Sequence, residues 1–241
     1  MSGALVTRFG HFGARVRLGR AWRALGGFCF PECCAGCGTP ITDRGPLCPG
    51  CEGAIPPVAA PLCVRCLAGG REPGGCARHR RHTAWAAWGY DERAALVVRA
   101  LKFEGCTRLA EPLGGTIARA LPPGYRPDVV IEVPLHPSRR RERGFDQAGL
   151  LAVSVARTLG APHVSALVRL RATRGQTHLS AAARRADVSG AFALRDARAW
   201  QGRRVLVVDD VLTTGATLDA ALAPLHAAGA DTTSAVLAWA S

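Results

Sequence analysis

The stretch that decides the fold is Val205-Leu-Val-Val-Asp-Asp-Val-Leu-Thr-Thr-Gly-Ala-Thr217. Four apolar residues run into two aspartates, and a loop of threonines with one glycine follows. An unbroken apolar run of this length bounded by turn residues reads as a strand buried on both faces, which is the condition of a parallel sheet. Asp209 and Asp210 then stand at its carboxyl end, where ligands of open α/β sheets bind. Thr213 to Thr217 forms the turn into a helix. Its amides, hydroxyls and the positive end of the helix dipole suit a phosphate monoester, and Gly215 lets the backbone approach closely. The carboxylates are left for the vicinal hydroxyls of a sugar or for a magnesium ion. Ribose 5-phosphate satisfies both halves. A nucleotide-hydrolysing fold also ends an apolar strand in acids, but it needs GxxxxGK[ST]. The chain's single lysine, Lys102 in LKFEG, follows no such loop.

Working outward, residues 128–133 (DVVIEV) and 233–239 read as further strands. Residues 92–103, 146–159 and 217–228 read as helices, the last two stopped by Gly160 and Gly229. Strands alternating with helices of this length predict an α/β domain, a parallel sheet with helices on both faces, from Thr83 to the end.

Upstream the texture differs. Cys34-Ala-Gly-Cys37, Cys48-Pro-Gly-Cys51 and Cys63-Val-Arg-Cys66 are three CxxC knuckles, and Cys76-Ala-Arg-His79 supplies a fourth pair. Each knuckle puts two ligands on one side of a tight turn, and two knuckles complete a tetrahedral shell. Eight ligands predict two zinc ions, with His82 as an alternative to His79 and Cys33 as an alternative to Cys34. Disulfides fit poorly, because no secretory signal precedes the segment and CxxC loops are too short for ordinary bridges. A redox CxxC stands singly beside a βαβ pattern; an iron–sulfur cluster is a minor alternative. Residues 29–82 are expected to be a zinc-ribbon-like module that folds on its metal, and residues 83–241 a second domain.

The 241 residues carry a formal charge of +13, nearly all of it arginine. This charge is read either as compositional habit or as a surface for an anionic partner. Residues 1–28 form a basic arm without an acidic residue; Leu5, Phe9, Phe12 and Val16 fall at helical spacing. The arm reads as a helix docked on its own protein, as a surface for DNA or lipid, or as an organellar transit peptide. No run of 18 apolar residues exists, and a cytoplasmic protein is expected.

VLVVDDVLTTGAT resembles the phosphoribosyl-pyrophosphate signature of type I phosphoribosyltransferases. VPLHPSRRRERGFDQ (133–147) resembles the VPLHxxRxxxRGFNQ segment of the ComF/GntX family. LKFEG (101–105) and RLRATRGQTHLSAAARRADVSGAF (169–192) resemble further family segments, as does the layout of cysteine knuckles ahead of the α/β domain. The resemblance implies roles residue by residue. Asp209 and Asp210 grip the ribose hydroxyls, and Thr213, Thr214, Gly215, Ala216 and Thr217 hold the 5-phosphate. Leu135, His136 and Arg139 hold pyrophosphate with magnesium. Arg143 and Gln147 match the RGFNQ element, and Lys102 the LKFEG element. Arg171, Thr173 and Gln176 belong to a loop that closes over the reacting centre. Asp146, where the family commonly has Asn, is expected to repel pyrophosphate unless magnesium or Arg139, Arg140, Arg141 and Arg143 compensate; Asp187 is a similar departure. His79 in place of cysteine is a third. The implied reaction is displacement of pyrophosphate from ribose C1 by a nitrogen nucleophile, with no obvious general base. The family name implies uptake of transforming DNA, with single-stranded DNA, other competence proteins or a membrane surface as partners. Nucleotide salvage and a degenerate binding module are the competing functions.

Overall fold

The signature strand is longer than its apolar core. In the computed structural model, which describes residues 32–34, 36–41, 47–67, 76, 78, 79, 81–172, 186–198 and 200–240, it runs Arg204–Leu212 and so contains both aspartates. Val205, Leu206, Val207 and Val208 are all 0% exposed, which requires cover on both faces.

Five strands of the main sheet supply the frame. In chain order they are β3 (Leu62–Cys63), β4 (Thr83–Gly89), β5 (Val129–Glu132), β8 (Arg204–Leu212) and β9 (Asp231–Trp239), in the spatial order β3-β4-β9-β8-β5. All pairs are parallel except β3 with β4. Two antiparallel ribbons flank it: β1 (Glu32–Cys33) with β2 (Pro40–Ile41), and β6 (Leu167–Arg169) with β7 (Phe192–Leu194).

The helices are α1 (Pro49–Gly53), α2 (Glu92–Phe103), α3 (Ala110–Ala120), α4 (Pro137–Arg143), α5 (Gln147–Leu159) and α6 (Ala216–Ala227). Alternate strand residues divide the core. Val130, Leu206, Val208 and Leu237 pack with α2, α3 and α5. Val129, Ile131, Val205 and Val207 pack with α6, through Leu218, Leu222 and Leu225. The period of two along each strand thus delivers one apolar row to each layer. Caps set the helix starts: Asp91 accepts from Ala94 N–H at α2, and Asp146 accepts from Gly149 N–H at α5. Gly114 lets α3 approach α5 so closely that a Cβ there would lie 2.3 Å from Ser154 Cβ.

Several elements escape the sequence reading, β4 and α3 among the longest. β4 reads TAWAAWG, where alanine mimics a helix, and α3 carries two glycines. The cysteine-rich segment is fastened to the sheet: β3 pairs with β4, and Gly89 N–H donates to Pro56 O at 2.7 Å. No described helix is long and apolar enough to cross a membrane. The basic arm, residues 1–28, lies outside the described residues.

Candidate phosphoribosyl site and metal clusters

β5 ends at Glu132, opposite Val208, while β8 continues to Leu212 beside β9. The two aspartates therefore project past β5 and stand beside the loop that leaves it. Val133 N–H still reaches Val208 O at 2.9 Å, which ties that loop to the base of the acid pair.

Asp210 is 5% exposed and fully engaged. Lys102 Nζ of α2 lies 3.0 Å from its Oδ1, and Gln147 Nε2 donates to its Oδ2 at 2.9 Å. Arg143 Nη1 in turn donates to Gln147 Oε1, and its guanidinium sits 5.0 Å from the centre of the Phe103 ring. Lys102 and Gln147 thus meet on one carboxylate from two separate segments, with Arg143 behind Gln147. Asp209 Oδ1 accepts the Asp210 N–H at 2.8 Å. Burial, then the Asp210 charge, pushes the Asp209 carboxyl up to about 8; Lys102 opposes this and Asp146 adds to it.

Thr213 is exposed and Thr214 half-buried; Gly215, at φ +73°, is the N-cap of α6 and makes no side-chain cap. Ala216 and Thr217 form the first turn. Backbone amides at such a helix start are the donors that a phosphate would use.

The exit loop of β5 brings Leu135, His136 and Arg139 to the same rim. His136 caps α4, its Nδ1 accepting from Ser138 N–H at 3.3 Å. Arg139 pairs with Glu142 at 3.3 Å, both exposed, so that part of the arginine run is offset locally. Asp146, the acid expected to repel pyrophosphate unless a cation compensates, also has structural partners. Its Oδ2 accepts Leu135 N–H at 3.0 Å while its Oδ1 caps α5, so it braces the loop. Burial raises its pKa despite those two donors. A fourth acid, Glu132, is 6% exposed and paired to His163 at 2.8 Å. Burial opposes its charge, but hydrogen bonds from His163 and Ser165 outweigh this and hold it below the usual carboxylate range. Four carboxyls under an arginine-bearing rim make a floor that suits a cation carried with an anion. Lys102, Phe103, Arg139, Arg143 and Phe145 line a groove of about 300 Å³ beside it.

Arg169, on β6, was not singled out from the sequence. It lies over the Phe192 ring at 5.2 Å. Burial lowers its pKa, and the charges of Asp209 and Asp187 favour its cationic form. Arg171 donates to Ser189 O. Thr173 and Gln176 lie outside the described residues.

The cysteines gather as their spacing predicts. Cys34, Cys37, Cys48 and Cys51 place their sulfurs within 4.8 Å of one another, and so do Cys63, Cys66, Cys76 and His79 Nδ1. Cys37 and Cys48 sulfurs are 3.8 Å apart, and Cys66 and Cys76 sulfurs 3.7 Å. A zinc–sulfur bond of about 2.3 Å in a tetrahedron gives a ligand–ligand edge of about 3.8 Å, so both clusters fit zinc. Among the thiols, burial opposes ionisation of Cys34, but N–H donors at Cys48, Cys37 and Gly36 outweigh it and bring it down to about 6. The Cys37 sulfur, then burial and the other thiols, pushes Cys51 up to about 12. Four thiolates this close require a cation to share. Cys33 is exposed, with Cys34 in the cluster instead. His82 is no ligand here; its Nε2 lies 3.2 Å from Asp219 Oδ1.

The phosphoribosyl transferase domain model matches residues 103–240. The DNA utilization protein YhgH of Salmonella typhimurium is 32% identical over 197 residues, covering 77% of this chain and 80% of the relative. The chain belongs to the ComF/GntX family. Competence protein F of Haemophilus influenzae is 31% identical over 190 residues, covering 72% of this chain and 81% of that protein. Among solved structures, glutamine phosphoribosylpyrophosphate amidotransferase from B. subtilis is similar at 25% identity and a TM-score of 0.35. It covers 52% of this chain and 24% of its own. Two segments converge on Asp210 here: LKFEG through Lys102, and RGFDQ through Gln147 with Arg143 behind it.

Proposed function

We propose that this ComF/GntX protein binds phosphoribosyl pyrophosphate with magnesium and acts in the uptake or use of DNA. The observation that carries the ligand is the acid pair itself. Asp209 and Asp210 lie on β8 past the end of β5, a few residues ahead of the turn into α6, whose N-cap Gly215 makes no side-chain cap. In this reading the 213–217 amides and threonine hydroxyls take the 5-phosphate. The two aspartates take the ribose hydroxyls, and the β5 exit loop takes the diphosphate. Magnesium, when bound, supplies charge neutralisation on the diphosphate; the acidic floor of Glu132, Asp146, Asp209 and Asp210 is what favours it there. Lys102 and Gln147 hold Asp210 oriented, and Arg169 offers a cation beside Asp209. If transfer occurs, the developing positive charge at ribose C1 faces Asp209 and Asp210, while the arginines face the departing pyrophosphate.

The DNA part of the reading is supported by the relatives named for DNA utilization and for competence, and by the charge of +13. A single-stranded DNA partner would be held mainly through arginine–phosphate contacts and would leave as salt rises. Structural zinc in both clusters and a cytoplasmic setting belong to the same reading.

The test is calorimetric titration of magnesium phosphoribosyl pyrophosphate into the zinc-loaded protein beside the Asp209→Asn/Asp210→Asn variant. Binding by the first and none by the second is expected. No binding to either protein removes the ligand assignment. Pyrophosphate release with a purine, a pyrimidine or ammonia would favour the second reading, a working transferase of nucleotide metabolism. Absence of retention on an oligonucleotide at low salt would remove the DNA assignment.

A further inference from the structure

The knuckle between Cys63 and Cys66 of the second cluster touches the 213–217 loop. Cys63 and Cys66 flank two residues, Val64 and Arg65, and each of these reaches that loop or the turn behind it. A Cβ built on Gly215 would lie 1.8 Å from the Val64 carbonyl oxygen, so backbone rests on backbone and only glycine fits. Gly215 is also at φ +73°, which side chains rarely adopt. Arg65 Nε lies 2.8 Å from Asp219 Oδ1, and His82 Nε2 lies 3.2 Å from the same oxygen. Asp219 sits in the first turn of α6, and its N–H donates to Gly215 O at 2.8 Å. The glycine is thus gripped from in front by Val64 and from behind by the turn that Arg65 and His82 anchor.

Among the described residues the knuckle is a short turn. Its regular structure is the two-residue strand β3. Val64 N–H donates to His82 O at 2.8 Å, and Leu67 N–H to Cys63 O at 2.7 Å with Leu67 at φ +57°. Val64 is fully buried in the layer that includes Leu218 and Ala221 of α6. A turn this short, closed by Cys63, Cys66, Cys76 and His79, takes its rigidity from a shared metal ion. The first cluster differs. Cys34 and its neighbours Leu47 and Ile55 pack on the opposite layer, with α2, α3 and α5.

We propose that the metal-closed knuckle of Cys63, Cys66, Cys76 and His79 positions the phosphate loop, with Val64 and Arg65 as the positioning residues. Metal in this cluster then sets the ligand affinity of a site it does not touch. The inference rests on the phosphoribosyl reading for its ligand, but the coupling itself is independent of it.

The experiment uses the zinc-loaded full chain, Arg65→Ala, Cys66→Ser and, as the matched control, Cys37→Ser in the first cluster. Amide hydrogen exchange of residues 213–219 and affinity for magnesium phosphoribosyl pyrophosphate are both measured, with zinc content determined for each protein. Cys66→Ser should lose one zinc, speed exchange in 213–219 at least tenfold and weaken ligand binding at least tenfold. Arg65→Ala should keep both metals, speed exchange in the same window and weaken binding severalfold. Cys37→Ser should lose one zinc and leave that window unchanged. Unchanged exchange at 213–219 in both Cys66→Ser and Arg65→Ala overturns the proposal. Equal acceleration in Cys37→Ser overturns it too, since the effect would then be general loosening. If Cys66→Ser does not fold, Arg65→Ala decides. Faster exchange without any ligand binding by the parent protein would uphold the coupling and remove the phosphoribosyl assignment instead.

Discussion

Replacing Asp209 with asparagine should make this protein more stable at neutral pH, although it removes a residue of the candidate site. The fold pushes the Asp209 carboxyl up to about 8, by burial first and by the Asp210 charge second. In the unfolded chain the same group titrates near ~4. The native state therefore holds a proton that the unfolded state has released, and stability falls as pH rises through that interval. The slope is about 1.4 kcal/mol per pH unit between roughly pH 4 and 8, and it vanishes above the folded value. Asparagine abolishes the slope while its carbonyl keeps the acceptor for Asp210 N–H. The variant should gain on the order of a few kcal/mol over the parent at pH 7, and the gap should close toward pH 4. In a chain of this size that corresponds to a Tm several degrees higher, at about 2–4 °C per kcal/mol. The assay is denaturant unfolding of both zinc-loaded proteins at matched pH values from 5 to 9. Protonation of the cysteine clusters affects both equally and cancels in the difference. A variant equal to the parent throughout, or less stable at pH 8, would refute the reasoning.

Further perturbations separate the neighbours. Lys102→Met removes the cation 3.0 Å from Asp210. Because Lys102 also lowers Asp209, the pH at which the stability slope ends should move upward in that variant, as read by the same unfolding series. Asp219→Asn should cost about 1–2 kcal/mol at pH 7. Burial opposes the Asp219 charge, but His82 and Arg65 outweigh it and hold the pKa at about 2; the contribution is present above ~4 and is lost as pH falls toward 2. Urea unfolding at pH 7 and pH 2.5 checks the sign. Gly114→Ala should destabilise by about 1–3 kcal/mol, since its Cβ would lie 2.3 Å from that of Ser154; an unchanged urea midpoint would mean that α3 and α5 separate freely. Cys48→Ser should lower the zinc content from two ions to one, read by elemental analysis.

Much of the site was legible because its chemistry is local in sequence. A strand, two acids, a glycine turn and a helix start occupy consecutive residues, so 205–217 reads as a ligand loop without any tertiary information. The CxxC knuckles are equally local, since their spacing alone puts paired sulfurs on one side of a turn. The helix over Glu92–Phe103 falls where its periodicity places it. β4 was missed because alanine is a helix former and the strand is defined by its partners, β3 and β9. The bracing role of Asp146 was not legible for a related reason: beside the Gly149 amide of its own helix it accepts from the Leu135 amide, which belongs to the loop leaving β5.

The sequence by itself determined the local pieces: the buried strand of the acids, the phosphate-type turn and the two metal-ligand sets. What only the tertiary structure decided is which distant pieces meet. Lys102, Gln147 and, through Gln147, Arg143 converge on Asp210. Arg65 and His82 converge on Asp219, and the Val64 carbonyl seats against Gly215. The reason is that strand and turn signals are fixed by neighbours within a few residues. Ion pairs and backbone contacts between segments depend on strand order and on how far each strand extends past the next. Here β8 outruns β5, and that offset exposes the acid pair to everything that now surrounds it.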